Sequence, residues 1–142
     1  MRIVLADDHQ VVREGLKRLF AASQPGWIVC AEAADGIHAL RAIRDLRPDV
    51  AVLDITMPGL SGLEVATHVR KLGLPCRLLI FTGHDFDRLP EEVSRVGAHG
   101  YVLKSDASRN LIVAIDALLK GRTFYGTPPA PPQRFFYAAR SE

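Results

Sequence analysis

Five short apolar runs, each separated from the next by a stretch of helical periodicity, constrain this chain more than any other feature. Arg2-Ile3-Val4-Leu5-Ala6, Asp49-Val50-Ala51-Val52-Leu53, Arg77-Leu78-Leu79-Ile80-Phe81 and Gly100-Tyr101-Val102-Leu103 are almost continuously apolar, the pattern of strands covered on both faces. Trp27-Ile28-Val29-Cys30-Ala31 follows Pro25-Gly26 and runs into Glu32, which suits a strand nearer the sheet edge. In the first intervening stretch Val12, Leu16, Leu19 and Phe20 share one helix face, with Arg13, Lys17 and Arg18 outward. A second helix is expected from about Gly36 to Leu46, with Asp35 as N-cap, Ile37, Leu40 and Ile43 inward, and Pro48 enforcing the stop. A third, from about Ser61 to Leu72, carries Leu63, Val65, Ala66 and Val69 and ends at Gly73. The fourth spans roughly Arg88 to Val96 with Pro90 in its first turn, and the fifth, about Ala107 to Lys120, presents Leu111, Ile112, Ile115, Leu118 and Leu119. Strands alternating with helices require parallel neighbours and right-handed crossovers. The expected fold is therefore a three-layer α/β sandwich with five helices and a five-stranded parallel sheet, order 2-1-3-4-5. Its winding reverses at strands 1 and 3 and opens a crevice at their carboxyl ends.

With 142 residues, 48% of them apolar and 24% charged, the chain has the composition of one globular domain and can bury a core. No window is apolar enough to span a membrane, and Ala6-Asp7-Asp8 interrupts the N-terminal run where a secretory signal would continue. Eighteen basic against sixteen acidic residues leave a formal charge of +2, too balanced to imply a nucleic-acid surface. Cys30 and Cys76 sit in apolar segments without metal or redox spacing, so both read as buried, reduced thiols of a cytoplasmic protein.

The chemistry gathers at the strand ends. Asp7 and Asp8 follow the first strand, Asp54 the third, Thr82 the fourth and Lys104 the fifth. Any one of these could be an ordinary strand-end cap, but all five converge on the same rim, on strands about 4.8 Å apart. Three neighbouring carboxylates repel one another unless a cation intervenes. A divalent ion together with Lys104 balances their −3 charge, and an all-oxygen donor set favours Mg²⁺. A carboxylate so held can act as a nucleophile toward phosphorus. His9 reads as a helix-start residue within reach of the metal's water shell, and His38, His68 and His99 as surface or packing residues.

Over residues 1–121 the chain closely resembles the receiver domain of two-component response regulators. The resemblance is carried by Asp7-Asp8, by Asp54-Ile55-Thr56-Met57-Pro58-Gly59 continuing to Gly62, by Thr82, and by Lys104 after Gly97-Ala98-His99-Gly100-Tyr101. It implies that Asp54 accepts a phosphoryl group from a histidine kinase and that Asp7, Asp8, Asp54 and the Thr56 carbonyl hold Mg²⁺. It further implies that Lys104 binds a phosphoryl oxygen, that Thr82 and Tyr101 form a switch, and that Thr56 and His84 tune water access. The domain would then be no conventional enzyme, catalysing only its own phosphorylation and dephosphorylation. The stretch Gly100 to Asp106, followed by Leu111, Ile112 and Ile115, looks most like regulators with a LuxR-type helix-turn-helix output. Ser105 stands where proline commonly follows the lysine, leaving the Lys104-Ser105 peptide isomer open. On phosphorylation, Thr82 is expected to move inward and Tyr101 from an exposed to a buried position. Val93, Val96 and the fifth helix's stripe would offer apolar area for a phosphorylation-dependent homodimer.

Residues 122–142 read as a Pro-rich linker, Thr127-Pro128-Pro129-Ala130-Pro131-Pro132, and an aromatic tail, Phe135-Phe136-Tyr137. They are too few for a helix-turn-helix, so DNA contact belongs to an output domain outside this chain, or the protein is a stand-alone regulator acting through protein contacts. Two rivals stand beside these readings. An aspartate-nucleophile phosphatase lacks an evident general acid and its spaced carboxylates, and a nucleotide-binding flavodoxin-like module lacks a Gly-rich loop after strand 1.

Overall fold

The computed structural model describes residues 1–126, so the proline spacer and the Phe135-Phe136-Tyr137 cluster lie outside the described residues. In chain order the elements are β1 (Arg2–Ala6), α1 (Gln10–Ser23), β2 (Ile28–Ala33), α2 (Gly36–Leu46), β3 (Val50–Leu53), α3 (Gly62–Lys71), β4 (Arg77–Thr82), α4 (Leu89–Arg95), β5 (Gly100–Leu103), a single 3₁₀ turn at Lys104–Asp106, α5 (Ala107–Leu119) and β6 (Phe124–Tyr125). The α/β sandwich and its parallel sheet are as expected, but the sheet has six strands in the order β2-β1-β3-β4-β5-β6, not five.

The sixth strand escaped the sequence reading because two residues, Phe124 and Tyr125, show no period. It forms because α5 returns the chain to the edge of β5, where Gly100 pairs with Phe124 and Tyr101 with Tyr125. A Cβ on Gly100 would lie 2.1 Å from the Phe124 carbonyl oxygen, so the approach requires glycine. Phe124 is 1% exposed and anchors the strand in the core.

Two apolar layers cover the sheet. On one face Leu16 and Phe20 of α1 and Leu111, Ile115 and Leu118 of α5 pack on Ile3, Leu5, Val52 and Leu79. On the other, Ile43 of α2, Val65 and Val69 of α3, and Leu89 and Val93 of α4 pack on Val4, Leu53, Leu78 and Ile80. The ends are chemically determined. Asp35 caps α2 by accepting the His38 N–H, and Ser61 and Glu64 form a reciprocal capping box on α3. Pro48 disfavours a right-handed helical conformation at Arg47, and Arg47 ends α2 at φ 47°.

Three packing expectations need correction. Ile37 is 48% exposed, because α2 instead lays Gly36 and Ala39 inward: a Cβ at Gly36 would meet the Leu60 carbonyl at 2.0 Å. Val93 and Val96 are buried in the core, so α4 does not present them as a docking surface. Cys76 is buried, its thiol pushed up to about 12 by desolvation, whereas Cys30 on edge strand β2 is only partly covered. Lys104-Ser105 is trans, no cis peptide being present among the described residues.

Candidate functional site

The register of the central strands sets the rim. Ala6 pairs with Leu53, so Asp7 and Asp54 emerge side by side, and the Asp54 N–H donates to the Ala6 carbonyl at 2.9 Å. Thr82 pairs with Leu103, placing Lys104 just beyond. Asp7 is 3% exposed, Asp54 4% and Thr82 1%, while Asp8, Thr56 and His84 lie at the solvent side. Gly62, at the start of α3, lets this layer close: a Cβ there would lie 2.2 Å from the Asp54 carbonyl oxygen.

Lys104 bridges the two buried carboxylates. Its ammonium lies 2.7 Å from Asp7 Oδ2 and 3.2 Å from Asp54 Oδ2, and 5.9 Å from the centre of the Phe81 ring, within cation–π range. Burial and the Asp7 charge push the Asp54 carboxyl above its ordinary value, against the pull of Lys104. Burial alone would lower Lys104, but its contacts with Asp7 and Asp54 outweigh this and raise it. The Thr56 N–H donates to Asp54 Oδ1 at 3.3 Å, and Thr82 Oγ1 accepts the His84 N–H at 3.1 Å.

The His9 ring joins the acid pair, with Nδ1 3.0 Å from Asp8 Oδ1 and 3.2 Å from Asp7 Oδ1. Ligand atoms of Asp7, Asp8, His9 and Asp54 all lie within 4.8 Å of one another. The donor set suits a hard divalent cation such as Mg²⁺: three carboxylates converge, and Asp7 Oδ2, though touching Lys104, is buried without a well-formed hydrogen bond. Lys104 supplies one positive charge against three carboxylates, leaving net negative charge for a further cation to balance.

Tyr101 lies 9% exposed on β5, its ring 5.9 Å from that of Tyr125. The expected exposed starting position is therefore not the one seen. Burial, Asp85 and Tyr125 raise the Tyr101 phenol above its ordinary value. The sequence reading missed Asn110, 7% exposed, which donates to the Gly126 carbonyl at 3.1 Å. Its contact crosses from α5 to the end of β6, a pairing no local pattern encodes.

A family model of the response regulator receiver domain matches residues 3–116. The chain belongs to the receiver domain family. This receiver domain is 38% identical over 122 residues to the transcriptional regulatory protein NarL of Mycobacterium tuberculosis, covering 86% of this chain and 56% of that protein. It is 38% identical over 125 residues to the oxygen regulatory protein NreC of Staphylococcus aureus, covering 87% of this chain and 57% of that one. The chain thus spans little more than half the length of these relatives. Among solved structures, a two-component response regulator of the LuxR family from Aurantimonas sp. SI85-9A1 superposes with TM-score 0.81 at 44% identity, covering 87% of each chain. The NarL signal receiver domain from Mycobacterium tuberculosis does so with TM-score 0.81 at 39% identity, covering 85% of this chain and 97% of that one. Receiver domains of this NarL and LuxR type belong to two-component signalling. Among the described residues no helix is long and apolar enough to cross a membrane.

Proposed function

We propose that Asp54 is the phosphoacceptor of this receiver domain, taking a phosphoryl group from a phosphohistidine of a partner kinase in the cytoplasm. The observation that carries this is the buried Asp7–Lys104–Asp54 bridge, with Lys104 2.7 and 3.2 Å from the two carboxylates. A carboxylate in that setting has a fixed cation at hand for the equatorial oxygens of an incoming phosphoryl group. One Asp54 oxygen bonds to phosphorus as the phosphorus–nitrogen bond to the donor breaks, and the imidazole leaves with a proton. Water later attacks the acyl phosphate and returns the carboxylate and inorganic phosphate, so the domain catalyses only its own cycle.

Asp7, Asp8, Asp54 and the Thr56 carbonyl would hold Mg²⁺, which when bound supplies charge neutralisation for phosphoryl oxygens. Lys104 pairs with a phosphoryl oxygen, and Thr82 Oγ1 offers a hydroxyl donor to another. Thr56 and His84, both exposed on the rim, govern water access and so the lifetime of the acyl phosphate. Thr82 and Tyr101 relay the change to β5. Residues 1–121 carry this chemistry, and transcriptional output would come through a DNA-binding output domain.

Incubation with acetyl phosphate and Mg²⁺, followed by intact-mass measurement, should add one phosphoryl group to the wild type and none to Asp54→Asn or to wild type in EDTA. Labelling of Asp54→Asn would overturn the assignment, and sustained turnover of small phosphate esters would instead favour the phosphatase reading.

A further inference from the structure

The backbone of Asp7 is held on both sides, at its N–H by β2 and at its carbonyl, which opens the peptide to Asp8, by α1. The Asp7 N–H donates to the Ala33 carbonyl at 3.0 Å, and the Asp7 carbonyl accepts from Arg13 Nη1 at 2.6 Å. Arg13 is itself held, its Nε donating to Glu32 Oε1 at 3.0 Å, and its side chain is only 15% exposed. One planar guanidinium thus spans from the residue before Ala33 to the carbonyl of the first acidic residue, a fork that lysine cannot reproduce. The orientation of this peptide fixes how the two acidic side chains divide, Asp7 into the crevice and Asp8 onto its rim.

We propose that Arg13 is a positioning residue for the acid pair, setting the Asp7–Asp8 peptide so that both carboxylates face one divalent cation. The role presupposes that Asp7, Asp8 and Asp54 hold such a cation, as proposed above. Lys17 provides an internal control. It joins the same Glu32 at 2.8 Å and Glu14 at 3.1 Å, and so contributes to the same α1–β2 clamp, but has no contact with Asp7.

Calorimetric Mg²⁺ titration of wild type, Arg13→Ala, Arg13→Lys, Glu32→Gln and Lys17→Ala, with melting of each metal-free protein, separates positioning from clamping. Arg13→Ala should weaken Mg²⁺ about tenfold, as loss of an orienting partner around a metal typically does. Arg13→Lys should fail to restore the affinity, and Glu32→Gln should weaken Mg²⁺ by a smaller factor. Lys17→Ala should bind as wild type does while losing comparable thermal stability. In acetyl phosphate labelling, Arg13→Ala should need more Mg²⁺ for half-maximal rate yet reach the wild-type rate at saturation. Wild-type affinity in Arg13→Ala, or equal weakening in Lys17→Ala, would overturn the positioning role. Should Arg13→Ala not fold, wild-type affinity in Glu32→Gln would do the same. Absence of Mg²⁺ uptake by the wild type would overturn the metal-pocket reading itself.

Discussion

At Asp54 the cost of function is local and measurable. The native environment raises this carboxyl through burial and the Asp7 charge, so the ionised form is disfavoured when folded and destabilises the domain at neutral pH. Asp54→Asn removes that charge while Lys104 keeps Asp7. In the metal-free protein it should raise stability by about 1 kcal/mol, the scale of one like-charge contact relieved, seen as a higher melting temperature. His99 acts in the opposite pH direction from Asp54 and in the same direction as a carboxylate held low. Its Nδ1 accepts the Leu78 N–H at 2.9 Å, and burial with Arg77 and Arg70 lowers its pKa to about 4. Below the unfolded value near 6.5, the unfolded chain binds a proton that the native ring resists. This contribution is therefore complete above pH 6.5 and is lost as pH falls toward 4. Urea titrations between those values should show a loss on the order of 1 to 2 kcal/mol, discounted for the ring's partial exposure. The slope should flatten in His99→Gln; an unchanged slope would remove His99 from the account.

Among the elements, β6 carries the clearest prediction. Phe124→Ala should destabilise by about 3 to 5 kcal/mol, since a fully buried aromatic leaves a cavity, and a chain ending at Gly121 should lose stability likewise in urea denaturation followed by circular dichroism. Equal stability of the two chain lengths would show that β6 contributes nothing. The same element marks where sequence reasoning stops. Continuous runs such as Val50 to Leu53 identify buried strands because each residue must be apolar on both faces, and the acidic pair and Asp54 were legible as chemistry because each directly follows such a run. A two-residue strand has no such signature. Ile37 was misjudged for a related reason: helical spacing fixes which residues share a face, but Leu60 pressing on Gly36 decides how that face is turned. Arg13 went unnoticed as more than an outward charge because its partners, Asp7 and Glu32, meet it only once β1 and β2 are adjacent.

For the molecule as a whole, the exposed large apolar side chains among the described residues are Val11 on α1, Ile28 on β2, Ile37 on α2, Leu72 after α3, Phe86 before α4, and Val113 and Leu119 on α5, with Val11 at an apolar groove between α1 and α5 that Leu16, Leu19 and Phe81 line. The relay through Thr82 and Tyr101 proposed above makes association of two copies a phosphorylation-dependent expectation. Sedimentation with and without beryllofluoride should show association promoted in wild type and not in Thr82→Ala. Equal behaviour of the two proteins would remove the Thr82 and Tyr101 relay from assembly.

Gly126 closes the described chain with its N–H on the Tyr101 carbonyl at 2.9 Å and φ of +82°, and a Cβ placed there would lie 2.9 Å from the Tyr101 ring. The ring and the last backbone turn of the sheet therefore occupy one shared volume. A side chain at position 126 would therefore press on that ring and strain the backbone at once, so this corner of the sheet is open to glycine alone.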